Sequence, residues 1–211
     1  MQRRSFVTAA VLLCLCLYLC VSYPIPFQKI FQAQRNILWC ANIALHLLYV
    51  NQIYIMKQKI LFVCLGNICR SPAAHGVMES IVAREGLQDQ ITIDSAGTYG
   101  GHSGDLPDSR MRSAASRRGY NLTHRARRIT EEDFYRFDMI VVMDDMNYEN
   151  VSRLAPERKY INKMYRFAEF CRNHPQWSYV PDPYYEGREG FELVLDLLED
   201  GCEGILEKIT K

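Results

Sequence analysis

The first 55 residues of this 211-residue chain contain no aspartate or glutamate, and their only Lys or Arg residues are Arg3, Arg4, Lys29 and Arg35. All 24 acids and 21 of the 25 bases therefore lie in residues 56–211, which carry −3 against +1 for the whole chain. A balance so close to neutral points neither to a nucleic-acid binder nor to an acidic tail. No CxxC pair occurs, so the usual zinc spacing is missing, and no ligand cluster is visible. The eight cysteines are even in number but lack the spacing of a disulfide framework. No Gly-Lys-Ser/Thr follows a glycine-rich turn, which excludes a lysine-type phosphate loop. Internal repeats and low-complexity linkers are absent as well.

What is present centres on Val63-Cys64-Leu65-Gly66-Asn67-Ile68-Cys69-Arg70-Ser71-Pro72. An apolar run, Lys59–Val63, precedes it, and a helix-like run, Ala73–Glu85, follows. The pattern reads as a strand ending in cysteine, a short loop, and a helix with Ser71 as cap and Pro72 at its first position. Such a junction makes an anion site. The amides from Leu65, Gly66, Asn67, Ile68 and Cys69 to Arg70 can form a nest, and the helix N-terminus adds partial positive charge. Arg70 offers a planar fork that matches a phosphate bidentately. The same field favours a thiolate at Cys64. A strand-end cysteine is ordinarily a small hydrophobe. Here Gly66, Asn67 and Ser71-Pro72 around it favour chemistry: bind a phosphoryl group and attack it with sulfur. Asn67 suits a left-handed position in a tight loop. Ser71 can also donate a hydroxyl hydrogen bond to the thiolate.

Along the chain, strand and helix patterns alternate. Strands are expected at Ile60–Val63, Ile91–Ile93, Phe137–Met143 and within Lys163–Phe167. Helices are expected at Ala73–Glu85, stopped by Gly86; at Asp108–Arg118, stopped by Gly119; from Met146; and at Phe191–Ile209. This predicts an α/β fold: a single doubly wound domain with a central four-stranded parallel sheet and helices on both faces. Ligands then belong at the carboxyl ends of strands, where Cys64 and Asp144 both fall. The run Arg110, Arg112, Arg117, Arg118, Arg125, Arg127, Arg128 reads mostly as a solvated face with several ion pairs.

The stretch Cys64-Leu-Gly-Asn-Ile-Cys-Arg-Ser-Pro72 resembles the signature of the low-molecular-weight protein tyrosine phosphatases. The resemblance runs from about Met56 to the C-terminus. It takes in Asp94-Ser-Ala-Gly-Thr98, Thr123-His-Arg-Ala-Arg127, Met143-Asp144 and Asp182-Pro-Tyr-Tyr185. It implies hydrolysis of phosphotyrosine in proteins, and of small aryl phosphates, through a phosphocysteine at Cys64. No cofactor or metal is expected. On its own Asp182, between two prolines, reads as a surface turn; the resemblance makes it the general acid. Asp144 is the runner-up acid, with a supporting role near Arg70. The resemblance further implies that Asn67, Ser95 and His124 brace the loop through hydrogen bonds. Tyr184 and Tyr185 are the expected aromatic wall for a phenyl ring, or else two half-buried tyrosines packing the loop. Cys69, five residues from Cys64, is placed for a protective disulfide, or is a packed thiol.

Two departures bear on substrate choice. Many relatives carry a tryptophan after Ser-Ala-Gly-Thr, where this chain has Tyr99-Gly-Gly-His102; and His75 stands where relatives are often acidic. An arsenate reductase of this fold needs further relay cysteines, and none lies between Cys69 and Cys171. Arginine phosphatases of this fold carry Thr where this chain has Ile68. A phosphate-binding module without turnover is opposed by intact Cys64, Arg70 and Asp182.

For residues 1–55 three readings compete. Arg3-Arg4 with Phe6–Val21 resembles a signal or anchor, with Cys20-Val-Ser22 as a cleavage site; a second uncharged stretch runs from Ile37 to Ile55. The extension could instead be an ordered part of the fold. The favoured reading is a start at Met56, directly before the first strand. The working protein is then residues 56–211, a cytoplasmic monomer. Export or membrane attachment through residues 1–22 is the alternative.

Overall fold

The computed structural model describes residues 57–211. The expectations for residues 1–56, including the signal-like run and the start at Met56, lie outside the described residues. Strand β1 (Gln58–Cys64) is central. It pairs in parallel with β2 (Ile91–Gly97) on one side and β3 (Met139–Val142) on the other, and β4 (Met164–Arg166) extends the sheet beyond β3. The order β2-β1-β3-β4 is all parallel, with four strands as expected.

Ile60 to Val63 are fully buried because both faces of the sheet are covered. Ile60, Phe62 and Cys64 face a cluster with Val77 and Met78 of α1 (Arg70–Glu85), Met111 of α2 (Ser109–Arg117), and Val194, Leu198 and Ile205 of α5 (Arg188–Thr210). Leu61 and Val63 turn the other way, towards Phe134 of α3 (Glu132–Arg136) and Val151 of α4 (Asp145–Ser152). Each such large side chain contributes about 1.5–3 kcal/mol on burial. From β1 the sheet grows in both directions, so the crevice between the carboxyl ends of β1 and β3 is the switch point. Cys64 ends β1 there, and Asp144 caps α4 just after β3. Among the described residues no helix is long and apolar enough to cross a membrane.

Several boundaries differ from expectation. Helix α1 begins at Arg70, with Cys69 at the cap position and no side-chain cap bond. Ser71 is therefore not a cap: its hydroxyl is engaged by Asn67, Cys64 and Ala96 and cannot turn back to the helix amides. Strand β3 is shorter than Phe137–Met143, because Phe137 closes α3 and the Asp138 carboxylate accepts from the Lys59 N–H. The five-residue α3 was not expected at all. Gly86 and Gly119 end their helices at positive φ, 72° and 86°. The basic run is largely paired. Arg118 meets Glu192, Asp196 and Glu199, and Arg127 meets Asp94 and Asp133.

Candidate active site

The loop from β1 to α1 wraps around the Cys64 sulfur. Asn67 is the one non-glycine residue at positive φ among the described residues, at 56°, and it is almost wholly buried. Its side chain holds the strained turn in place. Nδ2 donates to Ser71 Oγ and Ser95 Oγ, both at 2.9 Å, and Oδ1 accepts from the Arg127 N–H at 2.9 Å. Gly97 allows β2 to end against this loop: a Cβ there would lie 2.7 Å from the Leu65 carbonyl oxygen.

Two groups meet the sulfur. The Asn67 N–H donates to Cys64 Sγ at 3.3 Å, and Ser71 Oγ lies 3.0 Å from it. Ser71 Oγ is also 3.2 Å from the Ala96 carbonyl. A hydroxyl has one proton, so it serves one acceptor at a time. With a thiol, S–H donates to Oγ and the hydroxyl proton goes to Ala96; with a thiolate, the hydroxyl turns to sulfur. Among the described residues the N–H groups of Gly66, Ile68 and Cys69 find no protein acceptor. These residues line the cleft, and a phosphate would supply that acceptor.

Arg70 is nearly buried. NH1 donates to Asp144 Oδ2 at 2.6 Å and to the Val180 carbonyl at 3.3 Å; NH2 donates to Asp182 Oδ2 at 2.6 Å. Burial opposes its charge, but Cys64, Asp182 and Asp144 outweigh that and raise its pKa. Asp144 spends its other oxygen on the Asn147 N–H at 2.6 Å, so it both caps α4 and aims Arg70. Asp182 lies between Pro181 and Pro183, accepts from the Tyr184 N–H at 3.2 Å, and lines the cleft. Cys69 is a buried free thiol. Burial first, then Asp108, Cys64 and Asp182, push its pKa above the ordinary thiol value.

The cleft measures about 250 Å³. Tyr184 and Tyr185 line one side; Tyr184 sits under the Arg110 guanidinium, 5.2 Å from the ring centre, while Tyr185 is 94% exposed. Tyr99 and His102 also line it, so the stretch without tryptophan still supplies a wall. His102 Nδ1 lies 3.2 Å from Asp105 Oδ2, which orients the ring against Gly66.

His124 makes no side-chain hydrogen bond to Asn67 or to the Ser95 hydroxyl; it meets the Ser95 backbone, and its Nδ1 lies 3.6 Å from Asp94 Oδ1. The Thr123–Arg127 segment reaches Asn67 through the Arg127 backbone N–H instead. Burial, and then neighbouring His75, lower the His124 pKa. The sequence showed no ligand cluster, yet the fold gathers His75, Asp94 and His124 behind the loop.

The model of the low molecular weight phosphotyrosine protein phosphatase family matches residues 59–211. The chain belongs to this family. A Synechocystis sp. relative assigned to the low molecular weight protein-tyrosine-phosphatases is 46% identical over 154 residues, spanning 73% of this chain and 98% of its own length. The Homo sapiens low molecular weight phosphotyrosine protein phosphatase is 36% identical over 151 residues, spanning 72% of this chain and 95% of its own length. The crystal structure of a protein tyrosine phosphatase from Entamoeba histolytica superimposes with a TM-score of 0.69 at 43% identity, covering 72% of this chain and 96% of that one. The candidate site therefore lies at the switch point of a low molecular weight phosphatase fold.

Proposed function

We propose that this phosphatase hydrolyses phosphotyrosine in proteins, and small aryl phosphates, through a phosphocysteine on Cys64. The observation that carries the reading is the convergence of three groups on one cleft: Cys64 Sγ at its floor, Arg70 beside it, and Asp182 held on Arg70 at 2.6 Å. Phosphoryl oxygens take the loop amides and the Arg70 fork, where fixed donors stabilise charge that develops during transfer. An incoming dianion displaces Asp182 from the guanidinium, and the freed carboxylate takes a proton from solvent, which makes it the acid for the leaving oxygen. The sulfur attacks phosphorus in line, the P–O bond to the phenol breaks, and Asp182 gives its proton to the phenolic oxygen. Water then attacks phosphorus, Asp182 takes its proton, and the P–S bond breaks to return thiolate and inorganic phosphate. Asn67, Ser95 and Ser71 hold the loop, and Asp144 holds Arg70. Tyr184 and Tyr99 flank a phenyl ring. The thiolate chemistry supports a reducing compartment such as the cytoplasm, and the near-neutral balance supports phosphotyrosine proteins rather than nucleic acid as substrates.

The test is phosphate release from p-nitrophenyl phosphate and from a phosphotyrosine peptide. Cys64→Ser is expected to be inactive. Asp182→Ala should turn over about 10²–10⁴-fold more slowly, the usual contribution of general acid–base catalysis. Full activity in Asp182→Ala would falsify the assignment of the acid and shift attention to Asp144.

A further inference from the structure

We propose that His75, Asp94 and His124 form a binding site for a borderline divalent metal ion, Zn²⁺ being the best chemical match, behind the phosphate loop. One ligand atom of each lies within 4.8 Å of the other two. Two nitrogens in this cluster, His75 Nδ1 and His124 Nε2, are buried with no hydrogen-bond partner. Buried polar atoms almost always have partners, so two orphans on facing imidazoles, 5.0 Å between ring centres, call for an occupant. His75 is 92% buried by residue area, as its exposure is 8%.

The surroundings have the order of a metal site. A ligating imidazole commonly gives its second nitrogen to a carboxylate. His75 does so: Nε2 lies 3.2 Å from Glu79 Oε1, which leaves Nδ1 as the free donor. Asp94 Oδ2 is taken by Arg127 at 2.9 Å. Oδ1 accepts the Ser95 N–H at 2.7 Å and lies 3.6 Å from His124 Nδ1, on the ring whose other nitrogen, Nε2, is the orphan. Two imidazoles and a carboxylate suit Zn²⁺, with a fourth position left for water. A cleft of about 210 Å³ lined by His75, Glu79 and His124 gives an ion access. Zinc bonds of about 2.0–2.1 Å need closer ligands than these, so the cluster contracts on binding. A bound ion fixes Asp94, and with it Ser95, on which Asn67 leans.

The test uses the full chain carrying Cys64→Ser, so that the active-site sulfur takes no metal and turnover plays no part. Zn²⁺ is titrated in competition with a chromophoric chelator, and Co²⁺ serves as an absorbing substitute. His75→Gln and His124→Gln are each expected to weaken binding at least tenfold. Glu79→Gln should weaken it about ten- to a hundredfold, as loss of such outer partners does. The Glu79 side chain is 59% exposed, so this variant keeps the fold even where a histidine variant does not. The site is refuted by affinity and stoichiometry unchanged in Glu79→Gln and either histidine variant. It is equally refuted by a Co²⁺ spectrum dominated by sulfur ligation that survives those substitutions.

Discussion

Ser71 is the residue whose role the fold changes most. Its place before Pro72 has every mark of a helix cap, yet its hydroxyl stands between Cys64 Sγ at 3.0 Å and the Ala96 carbonyl at 3.2 Å. Local chemistry loses here to a tertiary partner. We expect Ser71→Ala to leave the fold intact and lower kcat by about ten- to a hundredfold, since a hydrogen bond to a charged group contributes about 1.5–3 kcal/mol. The check is kcat for p-nitrophenyl phosphate beside a thermal melt; a rate within twofold of wild type would leave Ser71 a packing residue. Cys64 and Arg70 stood out because the strand–loop–helix pattern and the resemblance agree on them, Asp182 through the resemblance alone; the fold brings all three to one cleft. His124 and Arg127 were not legible. They lie in one quoted motif, and only the fold shows that a backbone N–H, not the imidazole, reaches Asn67.

The elements tell a similar story. Strand β1 was plain because a run buried on both faces is apolar throughout, and α2 because Asp108 and Gly119 bound it. Helix α3 was invisible: five residues show no period, and what holds it is burial of Phe134 and the ion pair of Asp133 with Arg127. Helix α5 is tied at its middle in a way no pattern shows. Asp200 accepts from the Asn173 N–H and Nδ2, both at 2.9 Å, and lies 3.0 Å from His174 Nδ1. Burial works against its charge, but these bonds outweigh that and hold its pKa below the ordinary carboxylate value. A depressed folded pKa adds stability that is complete above the unfolded value, about 3.9, and is lost as pH falls through the folded one. We expect Asp200→Ala to cost about 2 kcal/mol near neutral pH, a fall in Tm of about 4–8 °C for a domain of this size. The gap between the two melting curves should begin to narrow below about pH 4 and go on narrowing as pH falls through the folded value. A gap that persists unchanged at pH 3 would mean that the tether is packing and not charge.

At the scale of the molecule, the question is how much of the chain the chemistry needs. The sheet, both helical layers and every proposed catalytic group lie within residues 57–211. The family model spans residues 59–211, and 95–98% of the two curated relatives above is matched by only 72–73% of this chain. Every helix sends buried side chains into one of the two clusters on this sheet, and each loop at the site is braced from within the same residues: Asn67 by Ser95 and Arg127, Arg70 by Asp144 and Val180. Every one of these partners lies among the described residues. The fragment 56–211 is therefore expected to fold and to match the full chain in kcat for p-nitrophenyl phosphate within about twofold, with a cooperative melt of its own. A fragment that melts cooperatively but has lost most of its kcat would assign the first 55 residues a part in the reaction. One that fails to melt cooperatively would make them part of the folded unit.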